Sequence, residues 1–366
     1  MKVCLITDEY FSWGVHGGFG FFTRKLGKEL VQRGIDVEAI VHHISDSQKP
    51  IGETEIIDGV PVTTLPRKKL AKLRSKLYET DADIIHSQSG MFDTYLAFKR
   101  NPKKKKIVTF QDPRAKAEMA LTMPYESLTG YAWYKKLWGR FVFRLYKRSV
   151  QKADLTASQA IFKIPVVRKM FDLKTDAIWL PNMVDVPDSP PSQKSSQPMC
   201  VFTNRLDPIK RPEIYCSMAK LFPDVEFYVL SRSHIPGRDE KLHAQFKEPN
   251  IHFTGFVDED TKHSILERAW VSVNSSIYEC LPIAFLESAA YGCSILSWVN
   301  PDNFTSNYGY HVKEATVESF AQGLGTLLKN DNWRELGRKA YFHAKQYYNT
   351  PIVTQQHIDL YKRLLE

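Results

Sequence analysis

No CxxC pair occurs in this chain of 366 residues, and its five cysteines (Cys4, Cys200, Cys216, Cys280, Cys293) are scattered and odd in number. A zinc site built on paired thiolates and a disulfide framework are both excluded, and a reducing cytosol is the simplest home. The eleven histidines form no HxxxH or HExxH pattern, so no metal centre is expected. A G-x-S-x-G elbow is absent too, which argues against a Ser–His–Asp hydrolase. No apolar run approaches the ~18 residues of a membrane span. The opening run Val3-Cys4-Leu5-Ile6 is too short for a signal peptide. What remains is ordinary: 43% hydrophobic and 25% charged residues, as in soluble globular proteins. At ~100–200 residues per domain, the length predicts two domains.

Charge is unevenly spread. Residues 1–185 hold 31 Lys and Arg against 20 Asp and Glu, and residues 186–366 hold 19 against 21. The basic excess is clustered at 67–76, at 99–106 and at 135–152. Each cluster alone reads as a solvated face. The third is interleaved with Trp133, Tyr134, Trp138 and Phe141, which fits an anionic membrane surface. No recognition-helix, zinc-finger or aromatic RNA-binding signature accompanies the charge, so nucleic acid is not expected as a partner.

Short apolar runs alternate with helical spacing along the chain. Strands are expected at 2–7, 36–41, 55–57, 62–65, 83–86, 106–110, 155–157 and 177–180, with helices at 19–33 and near 131–152. Residues 186–198 carry four prolines and four serines and read as a linker. The alternation then restarts. Strands are expected at 199–203, 225–230, 251–253, 270–274 and 294–297, with helices from 209, near 240–246, near 260–268 and from 283. Three helical patterns close the chain, near 317–329, 332–347 and 351–365. Such repeated units predict parallel sheets with helices on both sides, in two Rossmann-like domains with ligands beyond the carboxyl ends of the strands.

The chemistry concentrates in residues 270–297. A buried strand runs into the polar loop 274–279, and Pro282 opens a helix that Gly292 ends. Glu279 sits at the carboxyl end of a strand. The free N–H groups of Leu281, Ile283 and Ala284 sit at a helix start, a natural seat for phosphate. Glu287 lies one to two turns on, where a carboxylate can accept both hydroxyls of a ribose. This stretch resembles the E-x7-E region of retaining glycosyltransferases of family 4, which have the GT-B fold. The segment 204–212, N-R-L-D-P-I-K-R-P, is similar to the family's diphosphate-gripping element, with Arg205 and Lys210 at the matching positions. G-V-H-G-G-F-G at 14–20 is similar to its glycine loop, I-W-L-P-N-M-V-D at 178–185 to its domain junction, and I-H-F-T-G-F at 251–256 to the element before its base pocket. Three positions depart from the pattern. Gln111 follows Thr109-Phe110 where the family often has His, Cys280 replaces a usual Gly, and Ser231-Arg232-Ser233 stands where G-x-G is frequent.

The resemblance implies an α/β GT-B enzyme: residues 1–185 with a returning C-terminal helix 351–366, and residues 186–350 as the nucleotide-sugar domain, facing across a cleft. It implies a metal-independent, cofactor-free, retaining transferase moving a sugar from a nucleotide-diphosphate sugar to an acceptor hydroxyl. Arg205 and Lys210 would hold the diphosphate, Glu279 the donor sugar and Glu287 the ribose. Leu281, Ile283, Ala284, Gly17 and Gly18 would complete the phosphate cradle. On the acceptor side, His86, Gln111 and Asp112 are candidates, although His86 equally reads as a packed polar group. A glycan or lipid-linked acceptor and a cytoplasmic location, membrane-associated through the basic half, are expected. A nucleotide-sugar hydrolase or epimerase, or a catalytically impaired binding protein of the same fold, are the alternatives. Asp81-Ala82-Asp83 and Asp258-Glu259-Asp260 look like DxD metal motifs but are read as structural.

Overall fold

The run Val3-Cys4-Leu5-Ile6 forms the middle of strand β1 (Lys2–Thr7) and is fully buried, as a parallel strand covered on both faces requires. The computed structural model describes residues 1–10, 18–42, 53–65, 76–88, 90–126, 133–191 and 193–366. β1 pairs in parallel with β2 (Asp36–His42) on one side and β5 (Ile84–Ser87) on the other. Around this centre stand β3 (Thr54–Ile57), β4 (Val60–Leu65), β6 (Lys105–Phe110), β7 (Leu155–Ser158) and β8 (Ile178–Trp179), in the order β3-β4-β2-β1-β5-β6-β7-β8. A second sheet is parallel throughout. It runs β11-β10-β9-β12-β13-β14, from β9 (Met199–Phe202), β10 (Glu226–Val229), β11 (Ile251–Phe253), β12 (Val271–Asn274), β13 (Ser294–Ser297) and β14 (Gly309–His311).

Each sheet belongs to its own unit. One unit gathers residues 1–115, 129–182 and 351–366, and the other residues 116–128 and 183–350. The first core packs Cys4, Ile6, Ile85, Val108 and Phe110 against Phe171; the second packs Phe202, Tyr215, Phe227 and Val271 with Trp333. All five cysteines are buried and in no disulfide, and Cys4, Cys200 and Cys216 fill these cores as small apolar side chains.

The structure departs from the sequence reading at several points. β3 and β4 are the arms of an antiparallel hairpin, because Asp58 (φ 51°) and Gly59 (φ 82°) make the two-residue turn that reverses the chain. The helix expected from 209 is instead a 3₁₀ turn, Pro208–Lys210, and then a helix, Pro212–Ala219, separated by Arg211 at φ 47°. β14 was not foreseen. Its Gly309 pairs with Ile295, and a Cβ there would collide with the Ile295 carbonyl oxygen. A further helix, Lys116–Glu126, was also missed, and its contacts group it with the second unit, as they do residues 183–185. Residues 186–198 are no loose linker. Ser195 N–H donates to Arg268 O (2.9 Å), Trp270 Nε1 donates to Ser195 O (2.9 Å), and Tyr341 Oη donates to Pro187 O (2.6 Å).

The last helix, Thr350–Leu365, joins the first unit through a buried polar contact. His86 Nδ1 lies 2.7 Å from Tyr361 Oη, and His357 donates from Nδ1 to Val353 O (2.8 Å). Burial pushes both imidazoles down, His86 well below its usual value with help from His357, and His357 to about 4. Above pH 6.5 neither ring is charged in either state and the packing is at full strength. As pH falls, the unfolded rings take protons that the folded ones refuse. His357 alone should then remove on the order of 3 kcal/mol of stability between about pH 6.5 and 4. Urea unfolding at pH 7 and pH 4.5 should show this loss, and His357→Gln should reduce it, leaving the part that the buried His86 contributes. An equal loss in the variant would disprove the assignment.

Candidate donor site

β9 and β12 are parallel neighbours, so the loops that follow them leave the same edge of the sheet. After β9 comes the turn Pro208–Lys210, and after β12 the polar loop 275–279. The two are stitched together. Ser275 Oγ donates to the carbonyls of Lys210 and Arg211 (2.8 Å each), and Ile277 N–H donates to Ile209 O (3.0 Å). Arg211 Nε donates to Ser275 O (2.7 Å), which helps hold that residue in a left-handed conformation unfavourable for a side chain.

This stitching brings Lys210 onto Glu279. Lys210 Nζ lies 2.5 Å from Glu279 Oε1, and the two side chains are only 15% and 11% exposed. Ser276 Oγ donates to the same oxygen at 2.7 Å, and Asn274 Oδ1 holds the Ser276 N–H at 2.9 Å. A largely buried cation and anion thus meet at the carboxyl edge of the sheet.

Arg205 and Glu287 have other partners. Arg205 Nη1 donates to His234 Nδ1 (2.8 Å) and lies 3.3 Å from Asp207 Oδ2. Asp207 Oδ1 also accepts from Ser233 Oγ and His234 N–H. Glu287 Oε1 lies 2.8 Å from Lys262 Nζ, which also reaches Glu259 at 2.9 Å. Burial acts to lower the Lys262 ammonium, but the two carboxylates overcome it and hold it above its usual value. Lys262, His234 and Ser276 were not picked out from the sequence. Only Ser276, inside the polar loop, carried a signal there.

Leu281 is buried, and Pro282 caps the helix Ile283–Ala290 without a side-chain hydrogen bond. The Ile283 and Ala284 N–H groups therefore lie at an open helix start. Gly18 is exposed at the first position of the helix Gly18–Gln32, and Gly17 lies outside the described residues. The basic cluster at 67–76 lies largely outside them as well, as do the Lys135 and Lys136 side chains.

On the acceptor side, the packed reading of His86 holds. The ring is fully buried, with Nε2 2.7 Å from Thr109 Oγ1. Gln111 is also buried and continues a chain of amides at the carboxyl edge of the first sheet. It donates to Gln88 (2.8 Å), Gln159 donates to its carbonyl (2.6 Å), and Asn182 donates to Gln159 (2.9 Å). Asp112 is ion-paired with Arg114 at 2.6 Å. Neither DxD stretch is free. Asp81 is paired with Lys2 (2.5 Å), Asp83 accepts the Lys2 N–H (2.9 Å), and Asp258 caps a helix by accepting the Thr261 N–H (2.7 Å). The helix Lys116–Glu126 packs near the Pro208–Lys210 turn with Met119, Leu121, Met123 and Tyr125 exposed.

Comparison with known proteins fits this arrangement. No curated protein sequence matches the chain. Among solved structures, sucrose-phosphate synthase from Thermosynechococcus elongatus superposes with a TM-score of 0.77 at 16% identity, covering 99% of this chain and 98% of that one. Anabaena HepE in complex with UDP-glucose gives 0.72 at 13% identity, with 99% of each chain covered. Staphylococcus aureus TarM, solved with fondaparinux, α-GlcNAc-glycerol and UDP, gives 0.70 at 12% identity over 100% of both chains. Residues 16–161 match the Glycosyltransferase Family 4 domain, and residues 197–330 match Glycosyl transferases group 1. With one such domain on each sheet, the chain belongs to the family 4, group 1 glycosyltransferases and has their GT-B fold.

Proposed function

We propose that this glycosyltransferase takes its sugar from a nucleotide-diphosphate sugar and passes it, with retained anomeric configuration and without a metal or cofactor, to a hydroxyl of an anionic or lipid-linked glycan. The Lys210–Glu279 contact carries the reading. Lys210 and Arg205 hold the diphosphate, Glu279 positions the donor sugar through its hydroxyls, and Glu287 holds the ribose. The N–H groups of Leu281, Ile283 and Ala284 complete the phosphate cradle. In the transfer, the bond from the anomeric carbon to the phosphate oxygen breaks and a bond to the acceptor oxygen forms on the same face. The acceptor proton passes to the departing phosphate. Charge grows on that phosphate in the transition state, where fixed cations are worth most. Two such cations supply the charge that a divalent ion supplies elsewhere. UDP-glucose on HepE supports a donor of this class. The exposed Met119, Leu121, Met123 and Tyr125 near the Lys210 turn support an acceptor with an apolar part, met at the cytoplasmic face of a membrane.

The test is a thermal-shift screen of nucleotide sugars followed by a transfer assay, because a ligand that binds the folded state raises its melting point. A stabilising nucleotide sugar turned over only with acceptor is the expected result. Turnover without acceptor would identify a hydrolase, and no stabilising donor would refute the reading.

His234 adds a pH signature. Its neutral Nδ1 accepts from Arg205. Burial and the Arg205 charge hold the imidazole below its usual value, against the pull of Asp207. Protonation at acid pH removes the acceptor and frees Arg205. Donor KM should rise several-fold on the acid side of the ordinary histidine range. His234→Gln keeps an acceptor that does not titrate and should abolish the rise. A rise of the same size in the variant would count against this link.

A further inference from the structure

The helix Trp133–Val150 presents its exposed arc in two parts. Trp138 is 56% and Phe141 49% exposed. Beside them, Arg140, Arg144 and Arg148 repeat at every fourth position and are exposed. Among the described residues none of the three arginines has an ion-pair partner, whereas Lys147 is paired with Asp172 at 2.5 Å. The opposite side, with Val142, Tyr146 and Val150, is buried in the first unit's core. Trp138 rests edge-on against Phe92 (ring centroids 5.6 Å apart), at the start of the helix Met91–Arg100, where Met91 is 45% exposed. The aromatic patch is therefore supported from beneath.

We infer that this face docks the first unit on an anionic lipid bilayer, with Trp138, Phe141 and Met91 at the headgroup level and the arginine row on lipid phosphates. Amphipathic aromatic rings prefer the depth at which one side is apolar and the other wet. A row of unpaired arginines beside them complements a negatively charged leaflet. No helix among the described residues is long and apolar enough to cross a membrane, so the contact lies along the surface. The lipid-linked acceptor proposed above gives this docking its purpose, but the docking itself is read without donor or acceptor.

Co-sedimentation of the full chain with vesicles decides the matter. Phosphatidylcholine vesicles containing phosphatidylserine should pellet the protein at low salt, and phosphatidylcholine alone should not. Reversing the row (Arg140→Glu, Arg144→Glu and Arg148→Glu together) should weaken partitioning by roughly 100-fold or more. Reversing three exposed lysines of the same unit, Lys103, Lys169 and Lys174, should matter far less, because those charges lack the aromatic neighbours. Trp138→Ala with Phe141→Ala should remove the binding that survives at moderate salt. Overturning results are absence of pelleting with anionic vesicles, an equal loss in the lysine control, or a vesicle-free dimer that the arginine reversal dissociates. Donor-induced thermal shifts measured on the same variants separate this outcome from the donor-site reading. A lost shift with intact pelleting would fault that reading alone.

Discussion

Transfer by Lys210→Ala is expected to fall about 100- to 1,000-fold, the usual cost of removing one group that stabilises charge in a transition state. Among the described residues the Lys210 ammonium contacts only Glu279, and the pair is nearly closed to solvent, so water replaces neither partner well. Lys210→Ala should lower kcat, because the lost charge is needed most as the phosphate departs. Glu279→Ala should cost a similar factor for two reasons. It removes the carboxylate that would hold the sugar, and it leaves the Lys210 ammonium and the Ser276 hydroxyl without their shared acceptor. Because the two act as one unit, the double variant should be little worse than either single one. Steady-state transfer assays with the donor found by thermal shift give these numbers, and circular dichroism establishes that the variants fold. Unchanged rates in both single variants would take the pair out of the chemistry and leave the donor site unlocated.

Lys194→Met is expected to destabilise the second unit by about 3 kcal/mol, although the residue lies in no strand or helix. Its ammonium donates to Ala269 O and Tyr291 O (2.6 Å each) and reaches Leu266 O at 3.4 Å. Those carbonyls belong to the ends of two helices, Glu259–Arg268 and Ile283–Ala290, where a cation is favoured. Burial pulls the ammonium below its usual value, which marks how completely it has left water. Methionine would keep the stem and lose the donor, so buried carbonyls would be left unpaired. For a unit of this size, the melting temperature should drop by roughly 6–12 °C. The same two helices carry Lys262 and Glu287, so donor affinity should weaken along with stability. A Met variant as stable as the native chain would show that packing of the stem, and not the carbonyl clasp, fixes this segment.

Much of this could be read before the structure, and the failures have causes. The continuous apolar run Val3–Ile6 and the pair Val271 and Val273 marked buried parallel strands, because both faces of such strands are covered. β14 escaped because Gly309-Tyr310-His311 has no apolar run; its place is set by the close approach of Gly309 to Ile295. Helix Lys116–Glu126 escaped because its apolar residues lie almost all around it, with Thr122 the one fully buried side chain among those described. In the site, Lys210 and Glu279 were visible as residues on two loops. Their contact depends on β9 and β12 being neighbours, which spacing alone does not reveal. Lys262 and His234 lie on other elements, and no local pattern tells a surface lysine or histidine from one that pairs with a site residue. His86 shows the reverse problem. A histidine closing a strand suggested a ligand contact, and the covering helix that buries it comes from residues 350–365.

That covering helix has a consequence for how the chain is made. During synthesis the strands of the first sheet emerge early, but Tyr361 and His357 follow only after some 170 residues of the second unit. Until then the ring of His86 and the wall around it stand open to water. Nascent chains must therefore wait in an incomplete state, a stage at which long-range contacts are slow to form and a chaperone has something to hold.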